Sequence, residues 1–381
     1  MLPRRSFLKV EIDGTDISEA VSNYVLNFTY IDRASGESDS IDLSVTDRDG
    51  NFIDDWYPEN SIEFRAKIKV ENWNGAGDSD ELDTGKFKID LCNLSGPPDK
   101  FNIKAVSIPI SSSLKQEEKS NTWEETTLQK IAQTIAGNAG VELMYEVESE
   151  IQLDRVDQQQ QTDMSFLLDL CVKYGIALKV TDGKLVLFEE SVYEQKDVVD
   201  TFDKSEIGSR ILDYNFAQDT NDTVSKVELY YKDPKSGNVA QGEFTPPNPP
   251  KTGQKLILNE RPGDLRGDNF RNGVDTASKD PGGTFDTGYK EFNDITADFN
   301  KPRADTTDNA NRICKARCRE KNKKEWTCTL KLMGHVKMFG GVNIQMTNWG
   351  RYSGKYMVDT ATHNTGGRYV TTINAHRVLG Y

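Results

Sequence analysis

The sequence predicts a mainly β protein carrying a smaller α/β module, and three observations predict it. A six-residue phrase occurs twice: Gly85-Lys86-Phe87-Lys88-Ile89-Asp90 is echoed by Gly354-Lys355-Tyr356-Met357-Val358-Asp359. The echo runs on in the same order, with Ile41–Val45 answered by Cys328–Leu332 upstream, and Lys100-Phe101-Asn102-Ile103 answered by Arg368-Tyr369-Val370-Thr371 downstream. In each copy apolar and polar residues alternate with the period of a strand that buries one face. Between the copies the periodicity changes, with two helical stripes and a hairpin signature. The expectation is two related antiparallel β units, one near each end of the chain, with an α/β module inserted between them.

In chain order, residues 1–110 read as strands: Phe7–Ile12, Val25–Ile31, Ser40–Thr46, Ile62–Val70, Lys86–Asn93 and Phe101–Ser107. Asp47-Arg48-Asp49-Gly50-Asn51 reads as a turn, because the later ligands and closing Glu of a calcium loop are missing. Residues 111–195 form the α/β module. Thr122-Trp123-Glu124-Glu125 has capping-box form, and Leu128, Ile131, Ala132 and Ile135 then share one helical face, with Gly137 as the expected stop. A second helix starts at Thr162 or Asp163, buries Met164, Leu167, Leu168, Cys171 and Tyr174, and ends at Gly175. Ile176–Thr181 and Lys184–Phe188 flank Asp182-Gly183, a two-residue hairpin turn. Residues 196–232 and 303–381 are assigned to the second β unit, with strands at Ile211–Phe216 and Ser225–Lys232 and a helix from Asp305 to Lys323. Asp233–Pro302, with Pro246-Pro247-Asn248-Pro249-Pro250 and Gly282-Gly283, reads as a loop-rich insertion that packs on a partner or stays disordered.

Composition narrows the function. The 381 residues suffice for two or three domains with real cores. Hydrophobic residues make up 36% and mean hydropathy is −0.66, low for one compact enzyme and explained equally by extended surface, long polar loops or burial against other subunits. The net charge of −14 disfavours a generic nucleic-acid binder, whose affinity comes from Lys and Arg. No run reaches the roughly 18 apolar residues of a membrane helix, so no membrane insertion is expected. Arg4-Arg5-Ser6-Phe7-Leu8-Lys9 has the core of a twin-arginine signal but continues into Glu11, Asp13 and Asp16 rather than an apolar stretch. Cys92, Cys171, Cys314, Cys318 and Cys328 form an odd set without framework spacing, which points to synthesis in a reducing cytoplasm.

Three kinds of chemistry are conceivable for such a chain. Catalysis finds no support: there is no nucleophile elbow, phosphate loop or dinucleotide fingerprint, and no cofactor is expected. Acidic pairs such as Asp54-Asp55 and Glu189-Glu190 arise by chance among 61 acidic residues and read as solvated surface. A metal set could be drawn from Cys314, Cys318, Cys328 and His335, yet Cys314 and Cys318 also continue the apolar stripe of Ala310 and Ile313, which is the reading preferred. The basic run Arg312, Lys315, Arg317, Arg319, Lys321, Lys323 and Lys324 reads as a solvated helix end or as a docking surface for an acidic neighbour, such as another copy of the chain; nucleic-acid binding is a third reading, but no aromatic stacking platform accompanies the run.

Taken together, these elements resemble phage late-control D proteins, the baseplate hubs of contractile tails. The resemblance rests on Ser40–Asp49, Trp56-Tyr57-Pro58, Gly85–Asp90 and Ser95-Gly96-Pro97-Pro98. It continues through Leu128-x-x-Ile131-Ala132, Met164-x-Phe166-Leu167 to Gly175, and Asp182-Gly183-Lys184-Leu185, and ends with Gly340-Gly341, Gly354-Lys355-Tyr356 and a strand around His363–Ala375. The family implies two tail-tube-like β-barrel domains per chain and a homotrimer, hence a pseudo-sixfold ring joining a sixfold tail tube to a threefold spike. It implies as partners a tail tube or tube-initiator protein, a spike, a tape measure protein and baseplate wedge proteins, with DNA in transit only if the particle is a phage. The type VI secretion spike is similar in its N-terminal half; its long β-helix is not seen here, so the needle is expected on a separate polypeptide. Competing expectations are a hub-associated cell-wall-degrading enzyme and a carbohydrate-binding attachment protein with Trp56, Trp73 or Trp349 on an exposed face.

Overall fold

A computed structural model describes residues 3–59, 61–107, 114, 117–232, 237, 239–259, 304 and 306–381. The first β unit comprises β1 (Arg5–Ile12), β2 (Thr15–Asp16), the short helix α1 (Ser18–Val21), β3 (Val25–Arg33), β4 (Ser40–Thr46), β5 (Glu63–Glu71), β6 (Ser79–Ser95) and β7 (Lys100–Val106). Its strands lie in the order β3-β4-β7-β6-β5-β1-β2, all antiparallel. Every second residue of β4 and β5 is buried, which is what the sequence alternation demands. Phe28, Ile41, Leu43, Phe64, Phe87, Phe101 and Ile103 fill this core. Each such side chain, once buried, contributes about 1.5–3 kcal/mol.

The middle of the chain holds β8 (Glu118–Thr127), α2 (Leu128–Ala139), β9 (Glu142–Glu146), β10 (Gln152–Thr162), α3 (Asp163–Tyr174), β11 (Ala177–Thr181), β12 (Lys184–Phe188) and α4 (Glu190–Tyr193). Two expectations shift by a few residues. Thr122-Trp123-Glu124-Glu125 is not a cap but part of β8, where Thr122 pairs with Asp157 of β10. The cap is Thr127, whose side chain accepts from the Lys130 amide, and the stop is the left-handed Gly140 rather than Gly137, which lies inside the helix. Helix α3 runs as expected from its Thr162 cap to the left-handed Gly175. The β11–β12 hairpin turns at Asp182 and Gly183, both at positive φ.

Next come β13 (Val198–Asp203), a 3-10 turn at Lys204–Glu206, β14 (Ile211–Gln218), β15 (Val224–Lys232), β16 (Val239–Phe244), β17 (Gln254–Asn259), α5 (Thr307–Asn322), β18 (Trp326–Met333), β19 (Asn343–Thr347), β20 (Gly354–Asn364) and β21 (Val370–Arg377). The assigned boundaries need correction here. Part of the expected loop-rich insertion is sheet: β16 and β17 flank β15, while residues 260–303 lie outside the described ones. Nor does β15 join the second β unit. It packs with α5 in one core with α2, α3 and β11–β12, where Val227, Leu229, Ile313, Cys314 and Cys318 meet Leu128, Ile131 and Leu167. Pro-rich turns hid two short strands, and an amphipathic helix carries no label for the core that receives it.

The second β unit has the strand order β14-β18-β21-β20-β19-β13. Matched position by position, this is the order β3-β4-β7-β6-β5-β1 of the first, and the strands also follow in the same sequence order. The likeness extends to irregularities. The β3–β4 ladder bulges at Leu26 and the β14–β18 ladder at Leu212; the β6–β7 ladder bulges at Asp90 and the β20–β21 ladder at Asp359. Shared bulges are hard to obtain by chance, because each is a specific local departure from the ladder. One equivalence read from sequence slips. In the ladders Ile41–Ala105–Ile89 corresponds to Cys328–Ala375–Val358, so Phe101 answers Thr371, not Tyr369. A two-residue shift keeps every side chain on its face, so alternation cannot detect it. The copies differ in two pairings: β2, on the edge of β1, has no counterpart, and β1 meets β5 antiparallel whereas β13 meets β19 parallel.

Candidate assembly site and the junctions that frame it

The two β units are joined edge to edge. Strand β20 uses its first half against β19 and its second half against β3, with Thr360 opposite Arg33 and Asn364 opposite Thr29. The Asp359 carbonyl accepts from the Ala34 amide at 2.8 Å, and the Phe28 carbonyl accepts from Thr365 at 2.9 Å. The loop between β18 and β19 closes over the seam, placing Val336 and Phe339 in the first unit's core. Gly340 is required there, since a Cβ would lie 2.3 Å from the Ala34 nitrogen.

The α/β module is held to this seam by a buried ionic cluster. Lys179 of β11 donates to Asp32 of β3 at 2.8 Å and lies 3.6 Å from Asp39. Asp32 also accepts from the Gly340 amide at 2.6 Å and from the Tyr30 hydroxyl at 2.7 Å. Burial pushes Asp39 up to about 7; the Asp32 charge adds to the rise, and Lys179 opposes it. Ser107 donates to the Val180 carbonyl at 2.8 Å beside it. A cavity of about 390 Å³ opens at the same junction, lined by Asp32, Arg65, Asp83, Lys179, Asp182 and Phe339.

The basic helix has an acidic neighbour, and it is in the same chain. Arg312 pairs with Glu189, Arg319 with Glu194 at 2.6 Å, and Lys323 with Glu190 at 3.2 Å. Arg317 is buried and pairs with Glu320 at 2.5 Å; Lys315 is half-buried. Glu189 and Glu190 are therefore not solvated surface: their side chains are 16% and 14% exposed. Beside them His376 is buried 2.7 Å from Asp359 and 3.5 Å from Glu194. Burial alone would lower it, but Asp359 and Glu194 raise it to about 9. Three members of the run, Arg312, Arg319 and Lys323, thus tie α5 to α4. A cationic stripe in an acidic chain fits either role, and only the fold decides.

The four metal candidates are not brought together. Cys314 and Cys318 sit in the α/β core, Cys328 sits in the second unit's core, and His335 pairs with Asp200 at 2.8 Å. Burial raises Cys314 to about 12, Cys318 to about 11 and Cys328 to about 12, against the thiolate a metal needs. Among the described residues no cluster of three metal-ligating side chains occurs. The tryptophans do not share an exposed face: Trp349 is buried, Trp73 packs on Tyr369, and Trp56 is exposed.

What sequence reading missed is a pair of unused edges. Among the described residues, the second half of β6, Leu91–Ser95, pairs with β7 on one side only, and β14 pairs with β18 on one side only. Leu91, Leu94, Ile53, Trp56 and Tyr57 are exposed near the first edge, and Tyr214 lies on the second.

Comparison with known proteins bears on this arrangement. No protein-family model matches the chain. A probable baseplate hub protein of Escherichia phage 186 is 26% identical over 179 residues, 47% of this chain and 43% of that protein. The protein of the same description from Escherichia phage P2 is 27% identical over 181 residues, 47% of this chain and 44% of its own length. The family that the chain resembles is the baseplate hub family. The matched stretch spans less than half the length of these curated relatives. Among solved structures, a tail protein from Neisseria meningitidis MC58 aligns with TM-score 0.65 at 10% identity, covering 98% of this chain and 96% of that one. A 43 kDa tail protein of prophage MuSo2 from Shewanella oneidensis gives 0.60 at 10% identity, covering 98% and 97%. An Escherichia coli type VI secretion component, described as similar to the T4 tail proteins gp27 and gp5, gives 0.55 at 10% identity, covering 97% and 76%. At such identities these structures establish the fold. All five proteins are named as hub, tail or secretion components.

Proposed function

We propose that this chain is the hub of a contractile tail or tail-like injection particle, acting as a trimeric symmetry adaptor. The observation that carries the proposal is the internal duplication: two β units with one strand order and shared bulges, already joined edge to edge. Three chains would present six such units, matching a sixfold tail tube on one side and a threefold spike on the other. Each unit gathers its apolar side chains in a core of its own, and the proposal has the units close into barrels in that ring. The partners are then a tail tube or tube-initiator protein, a spike, a tape measure protein and wedge proteins, within a virion or tail-like particle. The type VI likeness supports the spike side. The net charge of −14 suits a channel that DNA traverses without sticking.

Class averages of negatively stained assemblies should show a ring with a central opening and six outer lobes. A solid particle with no opening would overturn the adaptor reading. The purified protein should leave peptidoglycan intact in a turbidity assay, and lysis would return the cell-wall-degrading alternative to the front.

A further inference from the structure

We propose that the buried Lys179–Asp32 pair undergoes a self-catalysed condensation, in which the two side chains become joined by an amide bond and one water is expelled. The ion pair is the reactant, and the product is a covalent tie between β11 of the α/β module and β3 of the first β unit. The tie stands whether or not the chain is a hub.

The cluster holds the three parts such a reaction needs. A nucleophile and a carbonyl are in place: the Lys179 nitrogen lies 2.8 Å from Oδ1 of Asp32, although the two residues are 147 positions apart in the chain. Groups fixed at that range react as one molecule, with effective concentrations that reach about 10⁵ M or more. The carbonyl is polarised. The Gly340 amide donates to Oδ1 of Asp32 at 2.6 Å, where negative charge gathers as nitrogen adds to Cγ, and the Tyr30 hydroxyl donates to Oδ2 at 2.7 Å. Burial raises Tyr30 well above its usual value, so it remains a donor. The third part is a proton carrier. Asp39 anchors Oδ1 on the Arg33 amide at 2.8 Å and leaves Oδ2 buried, without a hydrogen-bond partner, 3.6 Å from the Lys179 nitrogen. Burial, then the Asp32 charge, push Asp39 up to about 7 against the pull of Lys179, which suits a carboxyl that takes and returns a proton near neutrality.

The step balances without a co-reactant. Asp39 takes a proton from the Lys179 ammonium, the freed lone pair forms the N–Cγ bond, and the carbonyl electron pair moves onto Oδ1. Asp39 then returns its proton to Oδ2, and a second proton from the nitrogen follows by the same route. The C–Oδ2 bond breaks as water leaves, and Oδ1 remains as the amide oxygen on the Gly340 donor. The cavity lined by Asp32 and Lys179 receives the water. Two buried charges become one neutral amide, which removes the desolvation cost of keeping both ions out of water.

Intact-mass spectrometry of the folded full chain, before and after incubation at neutral pH, tests the proposal. The wild-type chain should come to weigh one water less than its sequence requires. A tryptic map should show Val10–Arg33 joined to Tyr174–Lys184, with cleavage after Lys179 lost. Lys179→Arg keeps the cation but forms no such bond, and Asp39→Asn removes the proton carrier; both should retain the full mass while circular dichroism shows them folded. A wild-type chain that keeps its full mass overturns the proposal, whatever the variants do. So does a water loss that maps to Asp13-Gly14, Asp49-Gly50 or Asp182-Gly183, where cyclisation to a succinimide gives the same mass change. Undiminished linking in Asp39→Asn overturns the role of Asp39.

Discussion

Replacing Lys179 with Met should weaken the junction between the α/β module and the first β unit. Its ammonium lies 2.8 Å from Asp32 and 3.6 Å from Asp39, with the three side chains 13%, 4% and 1% exposed. At an effective dielectric of about 20 the nearer contact is worth about 6 kcal/mol gross, most of which desolvation cancels. Met keeps the apolar stem and removes the cation, leaving two buried carboxylates without a counter-charge, at a cost of about 3–5 kcal/mol. The sign with pH follows from Asp39. Burial and the Asp32 charge raise it to about 7, while Lys179 opposes them. An acid whose folded value is raised contributes stability at low pH that is lost as pH climbs through that value. Without Lys179 the opposition is gone, so the deficit at pH 8 should exceed that at pH 5. Urea unfolding followed by circular dichroism at both values reads this out, using midpoints because several cores are present. A deficit below about 1 kcal/mol at pH 8, or one equal at both values, would refute the assignment of this cluster as the lock between modules.

Arg319→Met and Glu194→Gln should each cost about 3–5 kcal/mol, and the double variant less than their sum, in a denaturation cycle; additive losses would mean the pair is not coupled. His376, raised to about 9 after Asp359 and Glu194 outweigh burial, contributes stability that is complete below about pH 6.5 and lost through pH 9, about 3 kcal/mol in all. His376→Gln should flatten melting temperature across that window, and an unchanged slope would contradict it. Gly340→Ala should cost about 1–3 kcal/mol because its Cβ meets the backbone of Ala34 and Arg33. By contrast Gly137→Ala, inside α2 with nothing near its Cβ, should stabilise by about 0.5–1 kcal/mol. Thermal melts separate the two.

The duplication was legible because strands that bury one face write their period into the sequence, and Gly85 and Gly354 open the same repeated phrase. Alternation alone could not set the register of β21 against its counterpart, since a shift by two preserves every face. Helix α3 was readable at both ends from Thr162 and Gly175, whereas Thr122 mimicked a cap on a strand, because the motif shows only its residue types and not the backbone they cap. Long-range assignments were the least accessible. Nothing local to Arg319 says that Glu194 waits beside it, and nothing in Lys179 distinguishes it from a solvated hairpin lysine. The open edges of β6 and β14 have no sequence mark at all; they are defined by pairings that other strands make and these do not.

The mass of the purified protein by light scattering tests the central claim most directly. The account predicts an assembly of three chains of 42.9 kDa each. A particle that remains a single chain at every concentration, or settles as a symmetric dimer, would contradict it.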